Sequence, residues 1–138
     1  MLRAKKSIMA AGLIVLVAVG AALAIDKRPD SPGPGASSKE LVAAARRAYE
    51  PLRARRAMQP DVSTDEIYLW SKRWMTAEWD LSLQAGAAKG VKAHLERMRD
   101  LEDITTKLHA AGQVPASDVA AAAYYRTEAE LMLARAGG

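Results

Sequence analysis

The two histidines, His94 and His109, are the first residues to weigh for chemistry, because the 138-residue chain has no cysteine. An imidazole can serve as a general base or a metal ligand. A metal site on a helix needs a second ligand on the same face, three or four residues away. Neither histidine has a His, Asp or Glu three or four residues before it, so both read as surface or seam residues. Glu96, Asp100 and Asp103 form an acidic stripe at helical spacing, interleaved with Arg97, Arg99 and Lys107. Opposite charges so placed read as a solvated, salt-bridging face, with a weak divalent-cation site as the alternative. Ser63 carries a hydroxyl, but no His or Lys near it in sequence would activate it. Its place three residues before Glu66 reads instead as a capping box. The chain holds no phosphate-cradling glycine loop, no triad pattern and no metal-ligand cluster. The expectation is therefore a non-enzymatic protein with no catalytic, cofactor-binding or metal residues and no cofactor.

Aromatic residues concentrate in one stretch, with Tyr68, Trp70, Trp74 and Trp79. Trp70 and Trp74 share a helical seam and read as core. Trp79 and Tyr68 lie off that seam, where they would face a partner helix, a membrane interface or solvent. Tyr124 and Tyr125 are adjacent, about 100° apart around a helix, so they cannot be equally buried.

These residues need elements to hold them, and the chain divides into three parts. Residues 1–25 open with the basic head "MLRAKK", followed by the uncharged run Ile8 to Ile25. This is the pattern of a secretory signal peptide or of an N-terminal transmembrane anchor. "ALA" at Ala22 to Ala24 suits cleavage, whereas the length of the run suits a retained span; both readings stand. The absence of a following cysteine excludes a lipoprotein. The head's charge of +3, against a net of zero over Asp26 to Asp30, places the body outside the cytoplasm. Residues 26–38, rich in Pro, Gly and Ser, read as a flexible linker. Residues 39–138 are the folded domain.

The net charge of +4 and the pI near 9.5 suggest nucleic acid at first sight. The distribution argues otherwise. The head supplies +3, Lys39 to Met58 is basic, and Gln59 to Gly138 has nine Lys/Arg against twelve Asp/Glu. A basic helix beside an acidic remainder pairs within the protein, so no nucleic-acid partner is expected.

The domain reads as helix throughout. A first helix starts at Ser38 as N-cap and carries the seam Val42, Ala45, Tyr49, Leu52, Arg56, with Pro51 kinking it or delaying its start. A second starts at Ser63 with the face Ile67, Trp70, Trp74, Ala77, Leu81, then a further seam of Val91, Leu95, Met98, Leu101, Ile104 or Thr105, and Leu108. Gly86 and Gly90 fall between, a kink or a break, each costing up to about 1 kcal/mol against Ala. Gly112 ends this helix. The third begins at Pro115 with Asp118 in its first turn, and its apolar face is Val119, Ala122, Ala123, Ala129, Leu131 and Leu133.

The second and third helix starts align at a shift of 52 positions. Val62 meets Val114, Glu66 meets Asp118, Ile67 meets Val119, Ala77 and Glu78 meet Ala129 and Glu130, and Leu81 meets Leu133. This reads as a two-copy structural repeat. The stretch "LHAAGQVPASDVAAAAYYRTEAELML", with its Gly112 turn and the close Glu128-Ala129-Glu130-Leu131, resembles the helical hairpins of TolC-like outer-membrane efflux proteins; "DVSTDEIYLWSKRWMTAEWDL" is the weaker copy, without the turn glycine. The likeness spans roughly Leu52 to Ala136. That family is several times longer and has membrane β-strands, of which the sequence gives no sign.

The resemblance implies an all-α fold in which an N-terminal membrane or signal helix precedes a long antiparallel hairpin. One helix from Ser63 to Ala111, about 70 Å long, would be flanked by two shorter ones. The alternative is a compact four-helix bundle, broken at Gly86 to Gly90. The expected function is that of an exported or membrane-anchored hairpin mediating helix–helix interaction in the cell envelope, linked by resemblance to TolC-like assemblies. The alternative function is a small periplasmic ligand- or metal-responsive four-helix domain. Expected partners are the membrane, through residues 8–25 if uncleaved, and a protein partner or a second copy through the helix seams. The expected location is the inner membrane with an extracytoplasmic body, or the periplasm if cleavage follows Ala24.

Overall fold

The computed structural model describes residues 37–82 and 87–137. The expectations for residues 1–25, for the linker as far as residue 36, and for Gly86 lie outside them. Within the described residues the chain is all helix: α1 (Ser38–Met58), α2 (Thr64–Ser82), α3 (Ala87–Ala110) and α4 (Ala116–Ala136). None of these helices is long and apolar enough to cross a membrane.

The starts and stops follow local chemistry. The capping box falls at Ser37 rather than Ser63. The Ser37 hydroxyl accepts from Glu40 N–H, and the Glu40 carboxylate accepts from Ser37 N–H at 2.6 Å. At α2 the expected box does not form, and the turn is closed by the backbone alone, Ile67 N–H donating to Ser63 C=O. Pro51 lies within α1, which runs on through it from Ser38 and is not delayed. Gly112 does end α3, with φ 72°. Gln113 N–H reaches back to Leu108 C=O, and Gly112 N–H to His109 C=O. This Schellman pattern needs the left-handed conformation that glycine adopts without strain.

The single long helix from Ser63 to Ala111 is not formed. Along one helix Ser71 and His94 would stand about 35 Å apart. Here their side chains hydrogen-bond at 2.8 Å, because α2 and α3 are separate antiparallel helices packed on each other. The chain is thus two antiparallel hairpins, α1–α2 and α3–α4, stacked mainly through α2 and α3. The parallel pairs α1/α3 and α2/α4 touch at fewer residues, and among the described residues the backbones of α1 and α4 do not approach. Like the compact alternative, the arrangement breaks the second helix, yet it is not a closed four-helix ring.

The repeat is built into this stack. Met58 and Ala110 end α1 and α3, and Thr64 and Ala116 begin α2 and α4; each pair differs by 52 positions. Val62 and Val114, and likewise Ala77 and Ala129, are buried in both copies.

The core follows the seams unequally. Every residue of the α3 seam is buried, from Val91 to Leu108. On α2, Ile67 and Ala77 are buried, Trp70 and Trp74 are half-buried, and Leu81 is exposed. A second buried face of Thr64, Ser71 and Met75 accompanies them, since α2 is covered by α1 on one side and α3 on the other. On α4 only Ala122 and Ala129 are buried, and Leu131 is exposed.

Gly90 belongs to α3 and is buried rather than marking a break. A Cβ there would sit 3.4 Å from Glu78 Cβ and 3.5 Å from the Met75 carbonyl, so the residue lets the two helices close together. An alanine fills ordinary contact distance and removes glycine's helix penalty of about 1 kcal/mol. Thermal melting of the full chain should therefore show Gly90→Ala unchanged or stabilised by up to about 1 kcal/mol. Gly90→Val should destabilise it by roughly 2 kcal/mol through overpacking. A loss for Gly90→Ala as large as that for Gly90→Val would mean the helices cannot yield at all.

Candidate functional site

Two groups of polar side chains are buried where the hairpins meet. The first lies midway along α2 and α3. Ser71 and His94 are fully buried, and Arg97 is half-buried beside them. Arg97 Nε–H donates to Ser71 Oγ at 2.7 Å, and an Arg97 Nη donates to the Ser71 carbonyl. A guanidinium can only donate. With Oγ accepting from Arg97, the serine hydroxyl proton is directed to His94 Nδ1, 2.8 Å away. The imidazole is then the neutral tautomer with its proton on Nε2, which is buried and has no partner. Arg97 also lies over the Trp74 ring at 4.2 Å and near that of Tyr49, and the two rings meet edge to face.

A serine–histidine pair evokes nucleophilic catalysis, but a reacting carbonyl must be able to reach the oxygen. Ser71 Oγ is buried, spends its proton on the ring, and is held by a cation. This arrangement joins two helices. Burial first, and the charge of Arg97 second, push the His94 pKa from 6.5 down to about 4. Burial likewise lowers that of Arg97. The charged groups facing His94 include Lys72 and Glu128, which act in opposite directions.

Above that cluster, α2 and α4 meet through a stacked pair of tyrosines. The Tyr68 and Tyr125 rings lie 3.9 Å apart, 10° from parallel. Tyr68 donates its hydroxyl proton to Glu128 and accepts from Lys72 Nζ at 2.6 Å; Tyr125 donates to Asp65 at 2.6 Å. Burial, then the hydrogen bond to the neighbouring carboxylate, raise both phenol pKa values above the usual tyrosine range.

The second group is a clasp at the loop end of the stack. Arg56, the charge that ends the α1 seam, is only 1% exposed. One Nη donates to the carbonyls of Pro60 at 3.0 Å and Val62 at 2.7 Å. The other donates to Thr64 Oγ1 at 3.1 Å and Asp118 Oδ2 at 2.9 Å. One guanidinium so ties the end of α1 and its loop to the first turns of α2 and α4. Asp118 suits its place, since a carboxylate is favoured at a helix N-terminus. Beside the clasp is a solvent-open cleft of about 210 Å³, lined by Arg56, Asp61, Ser63, Thr64, Asp65 and Asp118 among others.

The residues singled out in sequence are dispersed. His109 Nδ1 bonds the Val114 carbonyl and latches the α3–α4 turn. Glu96 pairs with Arg99, Asp100 with Arg53 of α1, and Asp103 with Lys107. Among the described residues no three His, Cys, Asp or Glu side chains converge as a metal site. Trp79 is 48% exposed, whereas Trp74 is largely covered. The Ser71–His94–Arg97 chain went unread in the sequence, because its partners stand 23 and 26 positions apart on different helices.

No family model, no curated protein and no solved structure matches this chain.

Two measurements test these groups. Arg56→Met leaves two carbonyls, Thr64 and Asp118 without their donor, and should cost about 3 kcal/mol in chemical denaturation. A loss below about 1 kcal/mol would show that the clasp is not under tension from burial. For His94 the folded pKa is below the unfolded one, so the unfolded state takes up the proton first. Stability from this group is complete above pH 6.5 and is lost as pH falls toward about 4. The loss should approach roughly 3 kcal/mol. Denaturation midpoints between pH 8 and pH 4 should fall more steeply for the native chain than for His94→Gln; parallel profiles would refute the buried neutral imidazole.

Proposed function

We propose that the protein is a non-enzymatic interaction module of the cell envelope, a pair of stacked helical hairpins whose outer faces meet other helices. One observation carries this reading. The side chains with reactive chemistry, Ser71, His94, Arg97 and Arg56, are spent inside the stack on each other and on backbone carbonyls. Large apolar side chains stand outside instead, among them Met58, Leu69, Trp79, Tyr124 and Leu131. A surface that offers apolar anchors rather than convergent polar groups suits association.

Export supports the setting. The basic head and the apolar run of residues 8–25 would carry the body across the membrane, as a retained anchor or as a peptide cleaved after Ala24. The link to TolC-like assemblies rests on the turn pattern around Gly112 and on the hairpin repeat. The separation of α2 from α3 gives two short hairpins in place of one long one, so only the hairpin unit sustains that link.

A reporter that works only outside the cytoplasm, fused after Gly138, should be active. Activity confined to a cytoplasm-dependent reporter would sink the envelope reading. N-terminal sequencing of the purified chain then separates the two forms: a start at Ile25 means cleavage, and an intact "MLRAKK" means an anchor.

A further inference from the structure

Tyr68 of α2 and Tyr125 of α4 are both half-buried, so the pair sits where solution oxidants reach it. Their rings lie face to face, 3.9 Å between centroids and 10° from parallel. Two phenoxyl radicals approach in this way before they join at the carbons ortho to oxygen. Rings already held near the attack distance of about 3–3.5 Å need no search for a partner.

Each phenol also has a carboxylate of its own, supplied by the opposite helix. Tyr68 donates to Glu128 of α4, and Tyr125 donates to Asp65 of α2. A phenol gives up an electron readily only if its proton leaves too, and a carboxylate at hydrogen-bond distance is the base for that step. Lys72 imposes the same requirement. Its Nζ stands 5.1 Å from the centre of the Tyr68 ring, where it disfavours positive charge on the ring, and 3.5 Å from Glu128. The other tyrosines lack this arrangement. Tyr49 is buried edge to face against Trp74, and Tyr124, 64% exposed, meets Tyr125 edge to face. The chain has no cysteine, whose thiolate would be oxidised first, so one-electron chemistry falls to tyrosine and tryptophan.

We propose that Tyr68 and Tyr125 form an oxidative cross-linking site, where a one-electron oxidant of the class that a haem iron makes from peroxide joins α2 to α4 as a dityrosine. Each phenol gives one electron to the oxidant and its hydroxyl proton to its carboxylate. The two radicals form one C–C bond between ortho carbons. The hydrogens displaced from those carbons pass to the phenoxyl oxygens and restore two phenols. Two electrons and two protons leave in all, so the chain becomes lighter by two hydrogens. α2 and α4 belong to different hairpins and touch at few residues, so the bond ties the two hairpins covalently. This goes beyond the reading as an interaction module and does not depend on it.

The full chain, dilute and in detergent, is treated with light-excited ruthenium tris-bipyridyl and persulfate, a small one-electron oxidant. The main product should be a single chain lighter by two hydrogens, with the blue fluorescence of dityrosine and one cross-linked peptide pair holding Tyr68 and Tyr125. Tyr124→Phe should leave that product in place. Tyr68→Phe and Tyr125→Phe should each abolish it while the helical circular dichroism stays unchanged. Asp65→Asn together with Glu128→Gln should slow its formation at least about tenfold. The linked chain should unfold at a higher denaturant concentration than the untreated one, because the bond constrains the unfolded chain. Chains joined to each other through Tyr124, or oxygen added at Trp79 without a Tyr68–Tyr125 pair, would overturn the proposal. So would a rate indifferent to the two carboxylates, or unaltered unfolding of the linked chain.

Discussion

The stack depends on a charge that cannot reach water. Arg56 is almost wholly enclosed, and a buried guanidinium is costly unless most of its donors are taken; here both Nη groups are engaged, while Nε–H has no partner among the described residues. Four acceptors answer it: two loop carbonyls, the hydroxyl that begins α2, and the carboxylate in the first turn of α4. Three of them belong to the first hairpin and its loop, the fourth to the second. The pairing of Arg56 with Asp118 therefore fixes the rotation of one hairpin against the other at the loop end. Halfway along, the chain Arg97–Ser71–His94 fixes α2 against α3. At the far end, the missing side chain of Gly90 lets α3 close on Glu78 and Met75. Direction-sensitive polar contacts set the register in the first two places, and steric fit sets it in the third.

The two hairpins share boundaries but not contents. Where the first presents Tyr49 and Trp74 across its inner seam, the second, 52 positions on, has Leu101 and Arg126. Arg126 reaches Glu102 and Glu130 rather than filling space. Arg56 corresponds to Leu108, which packs with Ile104 and Val114 in a small cluster of its own. The repeat thus conserves where helices begin and end, while the pairing forces between them change from aromatic and buried-cationic in one copy to aliphatic and surface-ionic in the other. Only the first copy has a clasp, and it uses that clasp to hold the second.

Much of this was legible from residue order, and the losses have physical causes. The α3 seam could be read completely because one broad apolar face repeats there without interruption. The turn at Gly112 was legible because glycine and the following proline each have a local reason to be there. Arg56 stood out as a charge at the end of a seam, yet its acceptors lie as far as 62 positions away, beyond any periodic signal. His94 fell on a seam, but a burial depth that drives its pKa to about 4 comes from α2, packed across it. Residue order leaves a long helix and a break at Gly86 to Gly90 both open, because seams on either side of "QAGAAKG" fit one continuous helix as well as two. Periodicity is blind to a reversal of direction, and only contacts such as Ser71 to His94 distinguish them. Spacing leaves the capping box open for a related reason: Ser37 and Ser63 both precede a glutamate by three, and local spacing does not say which hydroxyl accepts from the helix start.

The unequal burial of α4 is where structure and function meet. Helices of a small stack are marginal alone and draw their stability from the faces they bury. α3, between two neighbours, has one apolar side and one charged side, which is what its position requires. α4 has one neighbouring side, as an end helix does, but its composition is that of a helix with two. Alanine carries the highest helix propensity, so an isolated end helix rich in it could be explained by propensity alone. Tyr124 and Leu131 are not accounted for in that way: exposed at an end face, they add nothing to propensity beyond alanine. Neither does propensity demand that charge be kept off the outer stripe, when glutamate and lysine would serve a solvated helix nearly as well. Helix propensity therefore accounts for the alanines of α4, and not for the exposed Tyr124 and Leu131 that stand among them.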